Sequence, residues 1–187
     1  MSLVITPLFE VRLRNAWTTL RTIPYWLLAR LGLLKPRVRQ ASGYGRKGVI
    51  YIHAKDGLTM GGQLDRPPVA SFGAGAEPAA IGTAILDMLA LYRGWVLGPK
   101  FRSEAYKTQR LAFLRRLDAK TNADFMNCGK LVSIESGPDG IRMSPWRNEG
   151  ARRGFGGMPP ETVVELSGLA SPEDLGKALT EAFARCG

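Results

Sequence analysis

Apolar residues recur along this chain in two rhythms, one near 3.6 residues and one near 2, and these predict helices and strands in turn. Phe9, Leu13, Trp17 and Leu20 have helical spacing, with Arg12, Arg14 and Arg21 elsewhere on the wheel, until Pro24 interrupts the run. Trp26, Leu27, Leu31 and Leu34 predict a second short helix that ends at Pro36. Residues 37–48 are polar and glycine-rich and read as a linker. Residues 49–53 are β-branched and aromatic, and residues 58–64 pair with them across a turn at Asp56-Gly57. Residues 65–77, with Pro67, Pro68 and two glycines, read as a loop. Ile81, Ile85, Met88, Leu89 and Tyr92 predict an amphipathic helix that opens on Pro78 and ends at Gly94.

Further on, Tyr106, Phe113 and Leu117 mark one side of a helix over 104–117, with Arg110, Arg115 and Arg116 toward water. A short turn follows at 121–127. A hairpin pairs residues 131–136 with 141–144 across Gly137-Pro138-Asp139-Gly140, and residues 162–166 add another strand. The last helix carries the fullest set of signals. Ser171 caps it, Pro172 takes the first helical position, and Asp174 stands three residues after the cap. Leu175, Leu179, Ala182 and Phe183 form its buried stripe. The expected class is α+β: antiparallel hairpins form a sheet covered by amphipathic helices, because each has one apolar face to bury. The expected organisation is a basic amphipathic helical segment at 1–45 and a single α+β domain at 46–187.

Charge changes this picture only at one end. The formal net charge is +10. Residues 1–47 hold nine basic groups and one acid, whereas residues 119–187 hold eight basic and nine acidic groups. A uniformly basic nucleic-acid face would spread its charge along the fold; a basic N-terminal arm gives this distribution instead. Residues 8–34 read either as a basic hairpin that touches a membrane surface or an acidic partner, or as two helices packed on the core with arginines in water, and the second is preferred. The apolar runs fall short of the ~18 residues that span a bilayer. The two cysteines, Cys128 and Cys186, form no disulfide framework and suit a reducing cytosol.

The chemistry-bearing motifs are weak. His53 is the only histidine and has no cysteine or carboxylate cluster beside it to complete a zinc site. Cys128 and His53 make a nucleophile pair only if folding unites them. Gly43-Tyr44-Gly45-Arg46-Lys47-Gly48 matches Gly-x-Gly-x-x-Gly but precedes a strand rather than opening a helix, so the dinucleotide mechanism fails. Arg153-Gly154-Phe155-Gly156 begins like an RNA-stacking strand, yet Pro159 and Pro160 follow. No catalytic residue, metal ligand or cofactor site is expected. Arg147-Asn148-Glu149-Gly150 with Arg152 and Arg153 is a donor-rich loop suited either to solvent or to a carboxylate-bearing partner.

An ordered series of small motifs runs through this frame. It comprises Tyr51-Ile52-His53, Thr59-Met60-Gly61, the helix from Ile81 to Leu89, Phe125-Met126-Asn127-Cys128-Gly129-Lys130, Val132-Ser133-Ile134-Glu135, Pro145-Trp146-Arg147-Asn148, Gly154-Phe155 and Pro159. In that order, over about residues 46–185, the chain resembles the immunity proteins of bacterial contact-dependent growth inhibition (CDI) systems. It departs from their pattern at Ala54, where proline is usual, and at Trp146, where threonine is usual. The resemblance implies a cytoplasmic, non-enzymatic protein that binds one-to-one the C-terminal toxin domain of a surface-exported effector, often a nuclease, and blocks it. It implies no small-molecule substrate. The expected partner-binding residues are Tyr51, His53, Thr59, Trp146, Arg147, Asn148, Arg152, Arg153 and Phe155. A nucleic-acid-binding module using the basic N-terminal segment is the alternative.

Overall fold

The segment from Arg39 to Arg46 shows why this sheet forms as it does. Its residues alternate small and large: Ala41, Gly43 and Gly45 on one side, Gln40, Ser42, Tyr44 and Arg46 on the other. That period of two makes it a strand despite its glycines. In the computed structural model, which describes residues 25–31, 33, 37–59, 62–99 and 103–187, this strand is the central one of the sheet.

The described strands are β1 (Arg39–Arg46), β2 (Val49–Leu58), β3 (Gln63–Phe72), β4 (Arg93–Val96), β5 (Lys130–Gly137), β6 (Gly140–Asn148), β7 (Phe155–Gly157) and β8 (Val164–Leu166). The helices are α1 (Pro78–Ala90), α2 (Glu104–Arg116), α3 (Asn122–Cys128) and α4 (Pro172–Arg185). The strands form one eight-stranded sheet with the path β3-β2-β1-β5-β6-β7; β8 also pairs with β6, and β4 pairs with β2. All pairings are antiparallel except the short parallel one between β2 and β4. The expected α+β class, antiparallel hairpins under amphipathic helices, is the architecture found.

The main core lies between one sheet face and helices α1 and α4. Ala41, Ile52, Ala54, Val132, Ile134, Ile141 and Met143 rise from the strands to meet Ile81, Ile85, Met88 and Leu89 of α1 and Leu175, Leu179, Ala182 and Phe183 of α4. The glycines of β1 let α4 sit close: a Cβ on Gly43 would come 3.1 Å from Leu179 and 3.2 Å from Phe183. Ser171 and Asp174 form a reciprocal capping box at the start of α4. The two helices cross at their first turns through a matched pair of glycines. A Cβ on Gly82 would strike the carbonyl oxygen of Pro172, and one on Gly176 would strike that of Pro78.

Several local expectations are corrected. The linker expected at 37–48 is mostly strand β1, so the boundary expected between 45 and 46 falls inside this strand. Glycine here serves close helix packing, not chain flexibility. The turn expected at Asp56-Gly57 is still strand: β2 runs on to Leu58, and its pairing with β3 resumes at Gln63. Glycine is needed there for close approach, since a Cβ on Gly57 would strike the Tyr92 hydroxyl. The loop expected at 65–77 is β3 as far as Phe72. Pro67 and Pro68 are tolerated there because β3 is an edge strand and lacks a second neighbour to bond. The helix expected to reach Gly94 stops at Ala90, and β4 follows. The turn at 121–127 is helix α3, capped by Thr121. The helix expected before Pro24 lies outside the described residues; of the second, expected over Trp26 to Leu34, residues 25–30 are helical.

The paired glycines give a direct test. Gly176→Ala must push apart two backbones, and we expect it to lower stability by about 1–3 kcal/mol in urea unfolding. Gly73→Ala, where an added Cβ meets nothing within 4 Å, should leave the midpoint nearly unchanged.

Candidate functional site

The opposite face of the sheet carries the polar side chains, and strand register arranges them in transverse rows. One row reads Tyr51, Tyr44, Leu131, Trp146 across β2, β1, β5 and β6. The next reads His53, Ser42, Ser133, Ser144. The third holds Gln40, Glu135 and Arg142, with Lys55 the following residue of β2 on this side. The face thus grades from aromatic, through small and hydroxylated, to charged.

Helices α2 and α3 cover the aromatic end. Phe113, Leu114 and Leu117 of the α2 region and Phe125 and Met126 of α3 pack on Tyr44, with Tyr51, Leu131 and Phe155 partly buried around them. The rings meet edge-on: Tyr44 lies 5.2 Å from Phe113 and 5.7 Å from Phe125, and Phe125 lies 5.8 Å from Phe155. Arg46, 2 % exposed, fastens this layer. Its guanidinium donates to the carbonyls of Leu117 and Asp118 and, at 2.6 Å, to Asp124 Oδ1.

Beyond these helices the face stays open as a trough of about 650 Å³. Its floor includes Leu131, Ser133, Ser144 and Glu135, and its walls include Trp146 on one side and Tyr92 and Trp95 on the other. The Trp146 indole donates to Ser133 Oγ at 2.8 Å. A polar relay crosses the floor. Lys55 Nζ donates to Gln63 Oε1 at 2.5 Å, Gln63 Nε2 donates to Gln40 Oε1, and Gln40 Nε2 donates to Glu135 Oε1 at 2.7 Å. The ends fix the amide orientations. An ammonium can only donate and a carboxylate only accept, so each glutamine must turn its oxygen toward Lys55 and its nitrogen toward Glu135.

The far wall is held by Asp56. This buried carboxylate accepts from Arg93 Nε at 2.9 Å and Nη2 at 2.6 Å and pairs with Arg66 at 2.8 Å. That bidentate bond raises the Arg93 pKa and ties β4 to β2. Trp95 holds a φ of +61°, a backbone region costing such side chains about 1–2 kcal/mol, and stacks on Tyr25 at 5.4 Å.

The nine expected partner-binding residues fall in three places. Arg147, Arg152 and Arg153 are exposed on the β6–β7 turn, with Trp146 half-buried at its base on the trough. Asn148 and Phe155 build that turn. Asn148 Nδ2 donates to the carbonyls of Met126 at 2.8 Å and Gly129 at 2.7 Å, and its Oδ1 accepts the Gly150 N–H. Tyr51 lies under α2 and α3, Thr59 is buried at the far end of β2, and His53 is wholly buried between Tyr44 and Phe113. Cys128 is exposed at the end of α3, whereas His53 is enclosed. The trough residues Lys55, Gln40, Gln63 and Glu135 were not singled out in the sequence. Lys55 lies two positions after His53, on the same side of the strand, and that spacing was the available signal.

Burial makes His53 hard to protonate. Its pKa falls from 6.5 to about 4, mainly by desolvation; Asp65 pulls the other way, and Arg116 and Lys55 add to the drop. Asp65 is itself engaged, accepting the Tyr44 hydroxyl at 2.7 Å, and burial followed by Asp65 pushes the Tyr44 pKa well up. Among the described residues, no group of three or more His, Cys, Asp or Glu is placed to hold a metal ion. Among them also, no helix is long and apolar enough to cross a membrane.

Comparison with known proteins then adds a family and a fold. A family model described as "CdiI: CDI immunity protein" matches residues 40–186. The fold is shared with a protein of unknown function, NMB0488, from Neisseria meningitidis, at 20% identity and a TM-score of 0.68, covering 82% of this chain and 99% of that one. It is shared equally with the CdiA-CT/CdiI toxin and immunity complex from Yersinia pseudotuberculosis, at 20% identity and a TM-score of 0.66, covering 81% of this chain and 99% of that one. No curated protein matches the chain.

The His53 environment predicts acid lability. Between pH 6.5 and about 4 the unfolded chain takes up a proton that the folded chain refuses, so stability falls as pH drops through this window. We expect about 3 kcal/mol lost in total from this group. Urea unfolding at pH 7, 5.5 and 4.5 should show a steeper decline for the wild type than for His53→Gln; parallel declines would reject the assignment.

Proposed function

Because this chain belongs to the CDI immunity protein family, we propose that it binds the toxin domain of a cognate CDI effector one-to-one in the cytoplasm and neutralises it by occlusion, with no catalysis of its own. The observation that carries this reading is the extent of the family match. It starts one residue into β1 and runs to Cys186, so it spans the whole sheet and all four labelled helices. The Yersinia pseudotuberculosis chain that shares the fold was solved as a toxin and immunity complex, which supports a protein partner. Fold alone does not fix function, so the contact surface must be argued from residues.

Trp146, Arg147, Arg152 and Arg153 are proposed to contact the toxin. They combine a half-buried indole with a rim of exposed guanidinium groups, the side chains that most often dominate protein interfaces. Asn148 and Phe155 are proposed to hold that turn in shape, and Tyr51, His53 and Thr59 to support the sheet beneath. An arginine-rich rim favours a carboxylate-bearing surface on the toxin and speeds encounter. The toxin activity implied by resemblance is cleavage of nucleic acid, so tRNA and plasmid DNA are the assay substrates.

Co-expression with the toxin domain encoded beside this chain should restore growth and give a co-purifying pair. Alanine at Trp146, Arg147 and Arg153 together should weaken binding by about 2 kcal/mol or more, roughly 30-fold in Kd by calorimetry. Unchanged affinity would reject the placement, and continued cell death beside wild-type chain would reject the function.

A further inference from the structure

Lys55 is the least explained buried charge among the described residues. It is 8 % exposed, yet among the described residues its ammonium meets no carboxylate within ion-pairing distance; its one hydrogen bond is to the Gln63 amide oxygen. Asp65 and Glu135 act on it only through space, and burial draws its pKa down. An ammonium has three N–H donors, and the Gln63 bond uses one of them. Lysine is seldom buried without a charged partner, because desolvation disfavours the lone charge.

Its surroundings say what would complete it. Lys55 lines the trough, flanked by Trp95 and Tyr92 on one wall and facing Trp146 on the other. These aromatic walls offer apolar surface for the stem of a bound side chain. The relay through Gln63 and Gln40 ends on Glu135, so the floor is positive at one end and negative at the other. A nucleic-acid strand needs an unbroken run of positive charge, and Glu135 opposes it. A single carboxylate on a protein side chain needs only the Lys55 end.

We propose that the trough is a seat for one acidic side chain of the protein partner, whose carboxylate accepts hydrogen bonds from the Lys55 ammonium while its stem lies between Trp146 and Trp95. This rests on the toxin-binding reading and assigns the partner's chemistry at one point. Trp146 then has two roles, one toward the rim arginines and one as a wall of the seat. Gln63 and Gln40 are positioning residues: they hold the ammonium in place without quenching its charge.

The test uses the wild-type chain and its toxin domain together. Carbodiimide coupling condenses a contacting carboxylate with an amine, losing the activating group as a urea and leaving an amide bond. Peptide mass spectrometry should find Lys55 Nζ joined to one toxin Asp or Glu. Lys55→Met, with an unchanged melting temperature, should raise Kd at least tenfold, and replacing that toxin carboxylate by its amide should weaken wild-type binding but not binding to Lys55→Met. A complex in which Lys55 is never coupled, or a folded Lys55→Met chain that binds within twofold of wild type, overturns the seat. If the wild-type chain does not bind the toxin at all, the toxin reading fails instead. The seat is then decided by titrating the chain alone with N-acetylaspartate amide: a saturable shift of the Trp146 indole signal, absent in Lys55→Met, supports it, and no shift overturns it.

Discussion

One buried guanidinium organises the polar face of the sheet. Arg46 ends β1 on the polar side, where a long cationic side chain has no water to reach. It is matched instead by two backbone carbonyls at the end of α2 and by Asp124 at the start of α3. Removing one partner from such a buried arrangement leaves an uncompensated charge, which is far more costly than the pair is stabilising. The contact therefore fixes where α2 and α3 can sit. Where they stop, the trough begins. Covered and open halves of one sheet face are thus set by the reach of one side chain, with the aromatic cluster around Tyr44 filling in behind it.

The far side of the trough depends on a second ionic arrangement of opposite polarity, an acid held by two arginines. Asp56 gathers Arg93 from β4 and Arg66 from β3, and β4 brings Tyr92, Gly94 and Trp95 to the wall. Both arrangements spend charged groups on position alone, and neither offers a group free for chemistry. The charge that is left over, on Lys55, lies between them.

Much of this was legible in the sequence, and each failure has its own physical cause. The helices α1, α2 and α4 and the β5–β6 hairpin announced themselves because their apolar spacing and caps are local signals, Ser171 and Asp174 above all. β1 was hidden because its core face is built of Ala41, Gly43 and Gly45. These residues bury by being small, and a search for large apolar residues passes over them. β3 was hidden by its prolines, which an edge strand tolerates. The β6–β7 turn and Trp146 could be picked out as donor-rich sequence. The relay could not, because Gln40, Lys55, Gln63 and Glu135 come from four strands and meet only through register.

The two-residue alternation of these strands has a consequence for how such a protein diverges. Ile52, Val132 and Ile134 answer to the helices beneath, while Ser133, Glu135 and Ser144 answer to whatever lies above, although they share the same backbone. Outward side chains can therefore be exchanged without disturbing the inward set that packs on the helices. A scaffold with this division of labour lets its outer surface change while its architecture holds.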